Sequence, residues 1–166
     1  MNTSITNIPL QDNSKLINIM VNNFAQVSFA GNTALTPIPA AGTFSKIVVT
    51  GAGVNTNVLN FTYAADGKLS YQGANGNFNL SIRVYFKHDG QTGNRELRLT
   101  IYKNGTAIDS NYSKIPNDGV GYTNLSFGSV VALNTDDYIE VMVSNGDTTD
   151  NVIVNRMSIQ AILKQS

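Results

Sequence analysis

The chain contains no cysteine and no tryptophan, and it has a single histidine, His88. Without cysteine there is no disulfide, no thiolate metal site and no thiol nucleophile, so stability has to come from packing and association. One histidine rules out a histidine-rich metal centre and leaves any serine–histidine arrangement with His88 alone to use. Charge is also scarce: 13% of residues are charged, against about 25% in an average soluble domain. The 11 basic residues are balanced by 11 acidic ones. A neutral chain lacks the basic footprint that nucleic acid or an anionic membrane demands, so neither is expected as a partner. No stretch approaches the about 18 apolar residues of a membrane span. The start, Met1-Asn2-Thr3-Ser4, has neither the basic nor the apolar region of a secretory signal, so the chain is expected to be made in the cytoplasm.

At 166 residues and 17.9 kDa the chain is sized for one domain with one core. Its polarity comes from Asn, Ser, Thr and Gly, the residues of turns, which points to many short strands. From about residue 24 onward the apolar pattern has period two. Phe78, Leu80, Ile82, Val84 and Phe86 share one face of a strand. Leu97, Leu99 and Ile101, then Leu125, Phe127, Ser129, Val131 and Leu133, then Ile139, Val141 and Val143, do the same in three more. The final strand, Val152 to Leu163, changes phase around Asn155-Arg156, which predicts a bulge there. Asn104-Gly105 between two short apolar-flanked runs predicts a two-residue hairpin turn, because both positions tolerate positive φ. Pro37-Ile38-Pro39 ends whatever strand precedes it. The pattern as a whole predicts an all-β, two-sheet antiparallel jelly-roll sandwich of about ten strands, spanning residues 24–166. Residues 1–23 differ, and are expected to form a short helix capped at Asp12 or Asn13, or an extended arm.

Three local features point towards chemistry, and each has a plainer structural explanation. Lys46 to Gly53 reads like the strand and glycine turn of a dinucleotide-binding unit, but Val54 to Tyr63 is strand-like where that mechanism needs a helix. His88 ends a strand beside Asp89-Gly90, the setting of a solvent-facing or turn-capping histidine. Asp136-Asp137 and Asp147, Asp150 bracket one hairpin and are the only candidates for a hard cation, although their spacing is not that of a regular calcium loop. No carboxylate pair lies in an apolar stretch, as a general acid or base would require. Neither a catalytic residue, a metal site nor a cofactor is therefore expected. The strand faces opposite the core carry more information. Arg83, Tyr85, Tyr122, Asn124, Ser126, Arg156, Ser158, Gln160 and Ile162 lie there, a mixture of aromatic, amide and paired-charge residues that suits either a subunit interface or an ordinary antiparallel sheet surface.

The words IYKNG (Ile101–Gly105) and VALNTDDYIEV (Val131–Val141), set between the Gly76-led strand and a closing apolar strand, resemble the jelly roll shared by complement globular heads and the tumour necrosis factor superfamily. The likeness covers about residues 24–164, and Asp136 stands where that family usually has the glycine of its Gly-Asp turn. The resemblance implies a compact homotrimer. It also implies that the last strand lies in the inner sheet beside the strand Phe78–Phe86 and the strand Tyr122–Leu133. Arg83, Tyr85, Tyr122, Asn124, Ser158, Gln160 and Ile162 would then face the three-fold axis. Asn-rich, neutral domains of this appearance are similar to the trimeric decoration, cement and head-fibre subunits of phage particles. That likeness implies a virion structural protein on the capsid surface, with the major capsid protein or another virion protein as partner and residues 1–23 as the docking segment, through Leu10, Leu16, Ile17 and Met20. A receptor- or carbohydrate-binding tip of a tail fibre is the alternative, with Tyr112, Tyr122 and the Asp147–Asp150 loop as its candidates.

Overall fold

The computed structural model describes residues 23–50, 53–65, 67–90, 93–108 and 113–164. The predicted docking residues Leu10, Leu16, Ile17 and Met20 lie outside the described residues. In chain order the strands are β1 (Phe24–Ala30), β2 (Leu35–Thr36), β3 (Ser45–Lys46), β4 (Val54–Leu59), β5 (Phe61–Tyr63), β6 (Leu69–Tyr71), β7 (Gly76–His88), β8 (Arg95–Lys103), β9 (Thr106–Ala107), β10 (Ser113–Asn117), β11 (Thr123–Leu133), β12 (Tyr138–Asn145) and β13 (Val152–Leu163). The count exceeds the expected ten because β2, β3 and β9 are two-residue ladders, too short to leave a periodic signal. No helix occurs among the described residues.

The strands form two antiparallel sheets. One has the order β11-β7-β13-β1-β4, with β2 added to β13; the other has the order β10-β8-β12-β6-β5, with β3 added to β12 and β9 to β8. The last strand does lie beside β7, as expected, but β7 separates it from β11, so the Tyr122–Leu133 segment is not its direct neighbour. Strand β7 is the spine of its sheet. Phe78, Leu80, Ile82, Val84, Phe86 and His88 all point inward and are buried, while the residues between them face out. Opposite them the second sheet contributes Leu97, Leu99, Ile101, Ile139, Val141 and Val143. Each such apolar side chain withdrawn from water stabilises by roughly 1.5–3 kcal/mol before chain entropy is counted. Phe61, Tyr71 and Phe78 close one end of the core, with ring centroids 4.8 Å apart for Phe61–Tyr71 and Tyr71–Phe78 and 5.4 Å for Phe61–Phe78.

Two predicted irregularities are present. Asn104 and Gly105 take φ of 50° and 78°, and Lys103 pairs with Thr106 across a two-residue turn. In β13 the pairing with β7 slips between Val154 and Arg156. The extra residue, Asn155, is held by a reciprocal exchange with Asn32, whose backbone N–H donates to the Asn155 carbonyl at 3.2 Å while the Asn155 amide donates to the Asn32 carbonyl at 3.2 Å. Thr36 ends β2 immediately before Pro37, and Val54–Tyr63 is strand (β4 and β5), interrupted only at Asn60 with φ 57°.

The two outward faces differ. That of the second sheet is covered by its own chain: Gly42 N–H donates to the Asn145 carbonyl at 2.8 Å, the Phe44 ring lies 6.4 Å from Tyr102, and Thr100 and Ser144, on the outward phase of β8 and β12, are buried. That of the first sheet is bare of any other described segment.

Candidate functional site

The bare face is a grid whose rows are set by strand register. One row reads Val130, Asn79, Ile162, Phe24, Leu59 across β11, β7, β13, β1 and β4. The next reads Gly128, Ser81, Gln160, Gln26, Asn57, and the one after it Ser126, Arg83, Ser158, Ser28, Asn55. A fourth places Asn124, Tyr85, Arg156 and Ala30 side by side. The face thus grades from an apolar end, where Val130 and Ile162 are 54% and 47% exposed, through an amide and hydroxyl middle to a cationic end. Arg83, Arg156 and Lys87 supply its charge, and among the described residues of these rows there is no carboxylate.

Of the seven residues proposed for the trimer axis, the structure brings Arg83, Tyr85, Asn124, Ser158, Gln160 and Ile162 onto this one face. Tyr122 stands at its rim, just before β11, with the Lys87 ammonium 5.3 Å from its ring centroid. The β1 and β4 contributions, Phe24, Gln26, Ser28, Asn55, Asn57 and Leu59, were not anticipated. For β1 the signal was present in the alternation of Ala25, Val27 and Phe29 with Phe24, Gln26 and Ser28. For β4, which is exposed along nearly its whole length, no alternation marks a face.

His88 is neither loop-edge nor exposed; this corrects the sequence expectation. It continues the inward phase of β7 and is 0% exposed. Its Nε2 lies 3.1 Å from the Asn117 carbonyl and 3.2 Å from the Gly93 carbonyl, both acceptors, so Nε2 carries the proton. Its Nδ1 accepts the Gly90 N–H at 3.1 Å, which retains the turn-capping half of the expectation. Both ring nitrogens are thereby taken by backbone, leaving neither to act as a general base.

The hairpin carboxylates do not gather. Asp137 sits at the start of β12 and Asp147 and Asp150 beyond its end. Asp137 binds the Lys103 ammonium at 2.8 Å. Asp147 Oδ2 accepts the Glu96 N–H at 2.6 Å, and Asp150 Oδ2 lies 3.2 Å from Arg95 Nε. The Asp150 carboxyl is held below its usual range first by a hydrogen bond from Thr148 and then by Arg95. Among the described residues no group of three His, Cys, Asp or Glu side chains could hold a metal ion.

Two packed antiparallel sheets with this strand order make a jelly-roll sandwich. The sequence matches no family model and no curated protein. Solved structures supply the likeness. Murine APRIL superposes with a TM-score of 0.54 at 10% identity, over 85% of this chain and 100% of that one. The PRD1 vertex protein P5 superposes with a TM-score of 0.51 at 16% identity, over 87% and 99%. Eiger TNF from S. frugiperda gives 0.51 at 10% identity, over 87% and 95%. At such identities the likeness concerns the fold.

Proposed function

We propose that this chain is a non-enzymatic structural protein of a virion, a homotrimeric decoration, cement or head-fibre subunit carried on the outside of a capsid. The observation that carries the reading is the contrast between the two outward faces: one sheet is covered by its own chain, while the other, among the described residues, presents a carboxylate-free grid with an exposed, largely apolar end. A face depleted of Asp and Glu and holding Tyr, Arg and apolar residues has the make-up of an interface core. The likeness to a protein named for a virion vertex supports the setting. In this reading Arg83, Tyr85, Tyr122, Asn124, Ser158, Gln160 and Ile162 line the three-fold axis, residues 24–166 form the trimerisation domain, and residues 1–23 dock it on the major capsid protein or another virion protein.

The test has two stages. Light scattering on the purified chain should give three times 17.9 kDa. Co-sedimentation with candidate capsids should then show attachment that is lost when residues 1–23 are removed. A protein that stays monomeric at high concentration sinks the trimer, and attachment unchanged by the truncation sinks the docking role.

A further inference from the structure

Arg83 and Arg156 lie outside the ion pairs that hold other cations of this chain. Lys46, Arg95, Arg98 and Lys103 are each held by a carboxylate, at 3.2, 3.2, 2.6 and 2.8 Å respectively. Arg83 and Arg156 make no ion pair among the described residues, and both are exposed. They are also close together. Arg83 on β7 is opposite Ser158, and Arg156 on β13 is opposite Tyr85, two residues along, so the pair occupies diagonal positions on adjacent strands. Diagonal side chains on one face start about 7–8 Å apart, within mutual reach for arginine. The bulge creates this neighbourhood. Were Asn155 paired in regular register, it would stand opposite Tyr85 and Arg156 would turn towards the core, away from Arg83.

Arg83 and Arg156 both line one groove of about 270 Å³, with Ser28, Asn55, Tyr85 and Ser158 among its other residues. These neighbours offer hydroxyl and amide donors, and none carries negative charge. Like charges set side by side repel, and nothing in the described face offsets them. A guanidinium fork matches two oxygens of a phosphate or carboxylate, and two arginines lining one groove can supply forks to a tetrahedral anion from two strands.

We propose that Arg83 and Arg156 form a binding site for a doubly charged tetrahedral oxyanion of the phosphate class, with the Ser28, Tyr85 and Ser158 hydroxyls and the Asn55 amide as additional donors. The site is complete within one chain and does not depend on the trimer reading. The anion can be free phosphate or the terminal phosphate of a monoester, and the two are separated by titrating each.

Isothermal titration of the full chain at low, matched ionic strength, with inorganic phosphate in one arm and glycerol phosphate in the other, tests the site. Binding of inorganic phosphate is expected, weakened about tenfold by either Arg83→Gln or Arg156→Gln and abolished in the double variant. Tighter binding of glycerol phosphate than of inorganic phosphate identifies the monoester as the ligand. Circular dichroism of the variants confirms that they fold. Wild-type protein that gives no heat, or a double variant that binds as well as wild type, overturns the proposal. So does a double variant that loses an oligomeric mass in phosphate-free buffer while wild type binds no phosphate, because carboxylates of a second copy then occupy the arginines. A monomer that binds phosphate keeps this site and rejects the trimer.

Discussion

The Lys103 ammonium lies 2.8 Å from Asp137 Oδ2, and beside it Asn104 Nδ2 donates to Asp137 Oδ1 at 2.6 Å. The contact joins the two short sequence words that carry the family resemblance, one ending β8 and the other leading into β12. Asp137 also accepts the Asn134 N–H at 2.7 Å, and Asn104 Oδ1 accepts the Tyr138 N–H at 3.0 Å. In this chain the two words form one lock between a hairpin turn and the strand next to it.

Lys103, followed by the Asn134 N–H, pulls the Asp137 carboxyl down to about 2. A carboxyl depressed on folding contributes stability that is present above its unfolded value and is lost as pH falls through its folded one. Asp137→Asn should therefore cost about 1–2 kcal/mol near neutral pH. Denaturant midpoints of wild type and variant should converge as pH falls from about 4 towards 2. Curves that stay parallel down to the acid limit would refute the assignment.

His88 fastens three segments at one end of the sandwich through Gly90, Gly93 and Asn117. His88→Ala leaves a cavity and strips partners from buried backbone, and should cost roughly 2–4 kcal/mol in urea unfolding. Gly119 has φ +78°, and a Cβ there would lie 2.6 Å from both the Gly90 carbonyl oxygen and His88 Cε1. Gly119→Ala should destabilise by about 1–3 kcal/mol for that reason. A loss under half a kilocalorie for His88→Ala would show the ring to be dispensable.

Ile162 is exposed, so replacing it should leave the fold alone, and in the proposed trimer it should disturb association. Ile162→Asp places a carboxylate in the apolar row of the bare face. The solution mass should drop to that of one chain, with an unchanged far-ultraviolet circular dichroism spectrum. An unaltered oligomer removes this row from the interface.

Asn155→Ala deletes the bulge side chain's hydrogen bond to Asn32 and should cost about 1 kcal/mol. Deleting Asn155 altogether is a different operation, because it removes the bulge and leaves Val154 opposite Phe86 and Arg156 opposite Tyr85 in an unbroken ladder, with both parts of the strand keeping their faces. The deletion variant should therefore keep the dispersed amide spectrum of a folded protein in two-dimensional NMR, with shifts changed near Asn32 and Tyr85. An unfolded deletion variant would show that the bulge itself is required by the fold.

Much of the architecture was legible because apolar alternation is a direct print of which side chains meet. The phases of β7, β8, β11 and β12, the Asn104-Gly105 turn and the slip near Arg156 could all be read that way. His88 was misplaced because the residues around it, Lys87 and Asp89-Gly90, look solvated. The even-numbered run from Phe78 to Phe86 reaches it with the next step, and parity outweighed composition. The hairpin carboxylates were grouped by proximity along the chain, whereas the eight residues of β12 separate them by about 27 Å at the usual rise per residue. The buried amide of Asn32, which donates to the Val48 and Val154 carbonyls at 2.9 Å, has no sequence signature at all. Its role depends on three segments meeting.

The bulge divides β13 into two reading frames. Before it the even-numbered Val152 and Val154 face the core, and after it the odd-numbered Met157, Ile159 and Ala161 do, against a partner strand that keeps even parity throughout. The cationic end and the apolar end of the bare face are therefore both written in the second frame. Because Asn155 is set aside as a bulge and takes no partner of its own on β7, Arg156 meets water and not the core, and everything this face binds depends on the bulge holding.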